Sequence, residues 1–100
     1  MDFKKNLITY SIVGTPVMYI GNLVAENRET GHVTISEALM GLSSKDGNVQ
    51  FTNVPHAKKT SNVVINTKAA PGIMVCDPDE ELVRVYERAV VQAYSNLTLV

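Results

Sequence analysis

Short runs of alternating apolar and polar residues, separated by turn-forming residues, occupy the first two thirds of the sequence. In the first run, Ile8, Tyr10 and Ile12 alternate with hydroxyl-bearing residues, which is the period of a strand buried on one face. Gly21 interrupts the second run, and a glycine in mid-strand predicts a sharp bend or a close backbone approach. Further runs begin at Val33, Val49 and Val63, and Ile73–Cys76 either continues the last run or forms a sixth strand. The chain is therefore expected to be mainly β, with strands across 7–76.

The final third of the sequence contains a helix signal. Asp77 is expected to cap the helix, with Pro78 at the first helical position and Glu80 at the third. Apolar residues then recur at steps of three and four, namely Leu82, Tyr86, Ala89, Val90, Ala93 and Tyr94. The sequence therefore predicts one C-terminal helix over about 78–95. For the apolar segment Leu97–Val100, three roles are open: closing a barrel, packing under the helix, or pairing with a neighbouring chain.

Size and charge limit the class of protein. The chain has 100 residues and a formal net charge of −1, so a single domain over 1–100 is expected. Residues 45–68 carry four lysines against one aspartate. If these lysines lie on one side of the protein, they form a basic face. If they are scattered over the surface, they only keep the protein soluble. No signal peptide or membrane span is visible, and Cys76 is the only cysteine. These features predict that the protein is located in the reducing cytoplasm and has no membrane partner.

The sequence lacks the usual patterns of catalytic and metal-binding sites. Its two histidines and Cys76 have none of the recognised metal-site spacings. Cys76 follows three apolar residues, which favours a buried, inert thiol over a nucleophile. The glycines are scattered singly, so no phosphate-binding loop is formed. We therefore expect neither enzymatic activity nor a cofactor.

Two neighbouring segments carry a resemblance to a known family. In Tyr19–Asn27, a glycine is followed two residues later by an apolar residue, and the segment ends in an acidic residue and an asparagine. In Val33–Ala38, alternating aliphatic residues precede an acidic and a small residue. These segments resemble the second and third strands of Sm and Sm-like (Lsm) proteins, and 12–17 is similar to the family's lead-in to its first strand. The chain resembles in particular short Sm-like proteins carried by marine cyanophages.

The resemblance implies a fold and an assembly. It implies a small, strongly bent, five-stranded Sm-like (SH3-like) barrel, followed here by the C-terminal α-helix. Because such barrels leave strand edges open to their neighbours, the resemblance also implies a homo-oligomeric ring of about five to seven copies. The strand edges and Leu97–Val100 are the expected contacts. If the protein is encoded by a phage, its location is the cytoplasm of the host cell.

The resemblance also implies binding of single-stranded RNA rich in U or A. The family's loop after the second strand carries a residue that stacks on a base and an asparagine that reads it. Allowing for one extra residue here, His32 falls at the reading position. The predicted RNA contacts are therefore Asn27, Arg28 and His32 in this loop, together with Lys58 and Lys59 for phosphate.

The same loop departs from the family pattern. Residues 28–32 contain no aromatic side chain. The family's second motif, a turn after the fourth strand, has its nearest counterpart in Asn66–Lys68, which matches poorly. The missing aromatic residue and the acidic balance of the chain favour the alternative, a structural or protein-binding ring that does not bind nucleic acid. The family precedent favours RNA binding, in an RNA chaperone or processing role, which stays the first hypothesis.

Overall fold

Six strands and one helix form the part of the protein seen in a computed structural model, which describes residues 6–54, 62–69 and 72–95, with side chains up to Gln92. The elements are β1 (Leu7–Ile12), β2 (Val17–Asn27), β3 (His32–Ser43), β4 (Val49–Asn53), β5 (Val63–Asn66), β6 (Ile73–Cys76) and α1 (Glu80–Ser95). The predicted mainly β architecture with one C-terminal helix is confirmed.

All strand pairs are antiparallel, and the sheet has the order β4-β3-β2-β1-β6. β2 pairs with one edge of β3 along nearly its whole length. The other edge of β3 is shared, because β4 lies opposite Leu39–Ser43 and β5 lies opposite His32–Ile35. β4 and β5 therefore run in the same direction along one edge, as two halves of a strand interrupted between Asn53 and Val63.

The predicted count of five strands is wrong, because the fourth strand position is filled by two separate segments. β6 is a strand of its own rather than a continuation of β5, since β5 pairs with β3 whereas β6 pairs with β1. Among the described residues, β4 and β5 do not pair with β6, so the sheet is not closed into a barrel.

The sheet bends where β2 and β3 lie opposite Gly21. A register shift places one extra residue of β3 at this point, which is a β-bulge. Glu37 in the bulge has a φ of 53°, a conformation that non-glycine residues rarely adopt. A Cβ atom at position 21 would lie 2.9 Å from the carbonyl oxygen of Ser36. The close backbone approach predicted from Gly21 is therefore confirmed.

The two faces of the sheet carry separate apolar clusters. The helix cluster joins α1 to the sheet and comprises Leu7, Ile20, Leu39, Tyr86 and Val90. The sheet cluster comprises Tyr10, Val33, Ile35, Ala38 and Ile65. β3 contributes to both clusters because its successive side chains point to opposite faces. Burying a side chain of this size contributes roughly 1.5–3 kcal/mol, so both faces stabilise the bent sheet.

Tyr86 joins the helix to the bulge. Its side chain is fully buried, and its ring packs edge-on against Phe51, with centroids 6.3 Å apart and an interplanar angle of 82°. Its hydroxyl donates a 2.7 Å hydrogen bond to the carbonyl oxygen of Glu37. The helix is thus held on the face of the sheet at the point where β3 bends.

The helix begins later than predicted. Asp79, and not Asp77, is the capping residue, because its Oδ1 atom accepts a 2.8 Å hydrogen bond from the backbone N–H of Leu82. Pro78 consequently precedes the cap, and Glu80 is the first helical residue rather than the third. Leu82, Tyr86, Ala89 and Val90 face the sheet as predicted, whereas the side chains of Ala93 and Tyr94 lie outside the described residues.

Two further sequence predictions fall outside the described residues, namely the roles of Lys58 and Lys59 and of the segment Leu97–Val100. In the part of the chain that the structure describes, no helix is long and apolar enough to span a membrane.

Candidate nucleic-acid interface

The turn between β2 and β3 is ordered by Asn27. The Oδ1 atom of Asn27 accepts hydrogen bonds from the backbone N–H groups of Glu29, at 3.0 Å, and Thr30, at 3.2 Å. Its carbonyl oxygen accepts a 2.8 Å bond from the N–H of Gly31. These bonds are typical of an asparagine that nucleates a turn. The side-chain oxygen of Asn27 therefore shapes this turn.

The turn after β5 is built in the same way and packs against the first. Asn66 Oδ1 accepts a 3.0 Å hydrogen bond from the N–H of Lys68. The N–H and hydroxyl of Thr67 both donate to the carbonyl oxygen of Gly31, at 2.8 and 2.6 Å. Lys68 Nζ donates a 2.7 Å bond to the carbonyl oxygen of Glu29. We call residues 27–32 and 66–68 together the paired-turn surface.

Gly31 makes this close pairing possible. Its φ of +81° lies in the left-handed region, and a Cβ atom there would lie 2.6 Å from Cγ of Lys68. The aliphatic part of Lys68 thus occupies the space that the Cβ atom of any other residue at position 31 would need. The paired-turn surface is therefore a fixed arrangement of two turns rather than two independent loops.

The structure brings together three of the five predicted RNA contacts. Asn27 and His32 are cross-strand partners at the ends of β2 and β3, and His32 also pairs with Asn66 at the end of β5. His32 is exposed. The side chain of Arg28 is 89% exposed, with its Nε atom 3.6 Å from Oε1 of Glu26. An exposed ion pair of this kind contributes little to stability, so Arg28 is available to a partner.

Sequence reasoning missed Lys68 and Asn66 as members of this surface. Both belong to the segment that came nearest to the family's second motif, and Lys68 is one of the four lysines of the basic middle. The sequence signal that could have identified these two residues was therefore the weak match of 66–68 to the family's second motif. The structure assigns both residues a place beside the β2–β3 turn.

The charges on and beside the paired-turn surface balance. Arg28 and Lys68 are opposed by Glu26 and Glu29. Burial raises the pKa of the Tyr10 hydroxyl, and the Glu26 carboxylate adds to that rise. With two cations against two carboxylates, the surface carries no net charge that would attract a phosphate backbone.

In the part of the chain that the structure describes, the aromatic side chains pack against other apolar side chains. Tyr10 and Tyr86 are buried, and Tyr19 packs against the sheet cluster. Phe51 packs against Tyr86. A base docked on the paired-turn surface would therefore stack on the imidazole of His32 or the guanidinium plane of Arg28.

Other polar groups do not assemble into a second site among the described residues. No group of three or more His, Cys, Asp or Glu side chains is placed to hold a metal ion there. Burial raises the pKa of the Glu37 carboxyl, whose buried Oε2 atom has no hydrogen-bond partner within the described ranges. Cys76 is exposed as a free thiol at the end of β6, which corrects the expectation that its apolar neighbours would bury it.

No protein-family model matches the sequence, and no curated protein matches it at a significant level. That the chain is Sm-like accordingly stays a prediction from residues 12–38.

Proposed function

We propose that this protein is an Sm-like ring protein that binds single-stranded RNA through the paired-turn surface. The observation that carries the proposal is the hydrogen-bonded pairing of the two turns. It sets Arg28, His32 and Lys68 on one surface, although His32 and Lys68 are far apart in sequence. A guanidinium plane, an imidazole and an ammonium group supply stacking, base-edge recognition and phosphate contact.

The bent sheet supports the Sm-like part of the proposal. If β4 and β5 are counted as one interrupted strand, the sheet has five strand positions, as the resemblance implies. Gly21 and the bulge at Glu37 give β2 and β3 the sharp bend that a small barrel requires. Closure of the barrel is part of the proposal.

Two strand edges support assembly into a ring. β5 and β6 contain no charged residue. Val64, Met74 and Val75 on these strands are 61%, 58% and 52% exposed. Edge strands of soluble proteins usually carry charges or proline that prevent pairing with another chain. Uncharged, exposed edges are therefore suited to contacts between copies.

Fluorescence anisotropy with labelled oligo-U and oligo-A, at two salt concentrations and with the assembly mass fixed by light scattering, tests the proposal. We expect binding that weakens with salt and is lost in the double variant Arg28→Ala and His32→Ala. Arg84→Ala on the exposed side of α1 is the matched control and should bind normally. A ring that ignores both oligomers at low salt would disprove RNA binding, and a monomer would disprove the Sm-like assembly.

A second candidate function is a structural or protein-binding ring. The balanced charge of the paired-turn surface favours it, because RNA-binding surfaces are usually strongly basic. The absence of an aromatic side chain from residues 27–32 and 66–68 favours it as well. Under this alternative, ring mass and stability are unchanged by Arg28→Ala with His32→Ala, and neither oligonucleotide binds.

A further inference from the structure

A groove of about 500 Å³ lies between the first half of α1 and the hairpin that joins β3 to β4. Its apolar lining consists of Met18, Val49, Leu82 and Val85. Its polar lining consists of Asn48, Gln50, Asp79 and Glu81. The volume falls within the range of about 300–1,000 Å³ that is usual for ligand sites.

A glycine shapes the sheet side of this groove. A Cβ atom at Gly41 would lie 2.9 Å from Cγ of Met18 and 3.0 Å from Cγ1 of Val49. The side chains of these two flanking strands therefore lean over Gly41 and approach each other. On the helix side, Val85 remains 37% exposed, so the groove presents apolar surface to solvent from both of its walls.

The charge of the groove determines which kind of ligand it favours. Asp79 and Glu81 contribute two negative charges, and the described lining contains no lysine, arginine or histidine. The N-terminus of α1 offsets about half of one charge, so the groove keeps a net charge of about −1.5. Arg84 does not compensate this charge in the groove, because it lines a separate depression with Pro78 and Glu80. A cationic group is therefore favoured and an anion is not.

We propose that this groove docks an extended segment of a partner protein that carries a lysine or arginine between aliphatic residues. The aliphatic stem of such a side chain packs on apolar surface while its charged end reaches a carboxylate. Val49 and Val85 supply the apolar surface, and Glu81 and Asp79 supply the carboxylates. The side-chain amides of Asn48 and Gln50 can hydrogen-bond the peptide groups of the segment.

The groove is independent of the paired-turn surface. Met18 lies near the start of β2 and Asn27 at its end, nine residues apart, which is about 30 Å when measured along the strand. The proposal therefore does not rest on RNA binding, and either function can be lost without the other.

A fluorescein-labelled peptide, Gly-Leu-Lys-Val-Arg-Gly, titrated with the full-length protein and followed by anisotropy, tests the groove. Glu81→Lys should weaken binding about tenfold, because it removes one attraction and adds one repulsion, each worth a factor of about two to five. Glu80→Lys is the matched control, since Glu80 lies on the same helical turn outside the groove. Val85→Ser should also weaken binding, whereas Val91→Ser, at a helix position 50% exposed outside the groove, should not.

Three results would overturn the proposal. The basic peptide fails to bind at millimolar concentration, Glu80→Lys weakens binding as much as Glu81→Lys, or the acidic peptide Gly-Leu-Glu-Val-Asp-Gly binds equally well. Circular dichroism spectra that match the parent protein verify that each variant is folded.

Discussion

Replacing Gly31 with alanine tests how the two turns of the paired-turn surface are held together. Holding alanine at a φ of +81° costs about 1–2 kcal/mol. The new Cβ atom would also meet Cγ of Lys68 at 2.6 Å, so the lysine side chain must move. That movement breaks the hydrogen bond from Lys68 Nζ to Glu29, worth about 0.5–1.5 kcal/mol. We expect a total loss of about 1.5–3.5 kcal/mol in the free energy of unfolding.

Gly47→Ala provides the control for backbone strain. Gly47 has a φ of +86°, but no atom of the described residues lies within 4 Å of the place where an alanine Cβ would sit. It should therefore lose only the conformational term of about 1–2 kcal/mol. Urea unfolding of both variants at one protomer concentration gives the comparison, with concentration fixed because assembly contributes to stability.

The difference between the two variants reports the side-chain contacts at position 31, the shortest of which is with Lys68. In a Lys68→Ala background, Gly31→Ala should cost less than in the parent protein, because the contact that remains is the one with Oγ1 of Thr67 at 3.1 Å. RNA binding should fall in Gly31→Ala and not in Gly47→Ala, if the paired-turn surface binds RNA. Equal losses of stability for Gly31→Ala and Gly47→Ala in the parent protein would refute the reasoning.

Four further predictions concern buried polar groups and the helix cap. Thr9→Val should raise the melting temperature, with a gain of about 1 kcal/mol, because the buried Oγ1 atom of Thr9 has no hydrogen-bond partner among the described residues. Tyr86→Phe should cost about 1 kcal/mol in urea unfolding, since it removes the hydrogen bond to Glu37. Burial raises the pKa of Glu37, so the folded state prefers the protonated carboxyl. This contribution to stability should be complete at pH values below the ordinary glutamate pKa and be lost as the pH rises past the folded-state pKa, and Glu37→Gln should remove this dependence from a series of melts. Asp79→Ala should cost about 1 kcal/mol, whereas Asp77→Ala should cost almost nothing, as chemical denaturation of the pair will show.

Features carried by local sequence patterns could be predicted. The period of Ile8, Tyr10 and Ile12 predicted β1, and Gly21 predicted the close approach at the bend. The spacing of apolar residues predicted the buried face of α1. In each case the information lies within a few neighbouring residues, because strand and helix periodicity is a local property of the chain.

Features that depend on distant partners could not be predicted in the same way. Whether β4 and β5 form one strand depends on which residues of β3 they meet, and not on their own composition. Lys68 joins the paired-turn surface through Glu29, which is 39 residues away. The choice between Asp77 and Asp79 as the cap was open to error for another reason. Aspartate is a favoured capping residue type at either position, and the favoured place of proline at the first helical position pointed to Asp77.

β4 and β5 pair with different halves of the same edge of β3, so each half of this strand is stabilised by different contacts. One half of β3 lies against β4 and the helix cluster, and the other half lies against β5 and the paired-turn surface. Each half therefore has its own partners, and the bulge at Glu37 separates them. Amide hydrogens of β5 can consequently exchange with solvent through a local opening that leaves α1 in place. We therefore expect hydrogen exchange to be faster in β5 than in the half of β3 that α1 covers, while β2, which pairs with both halves, keeps them in one sheet.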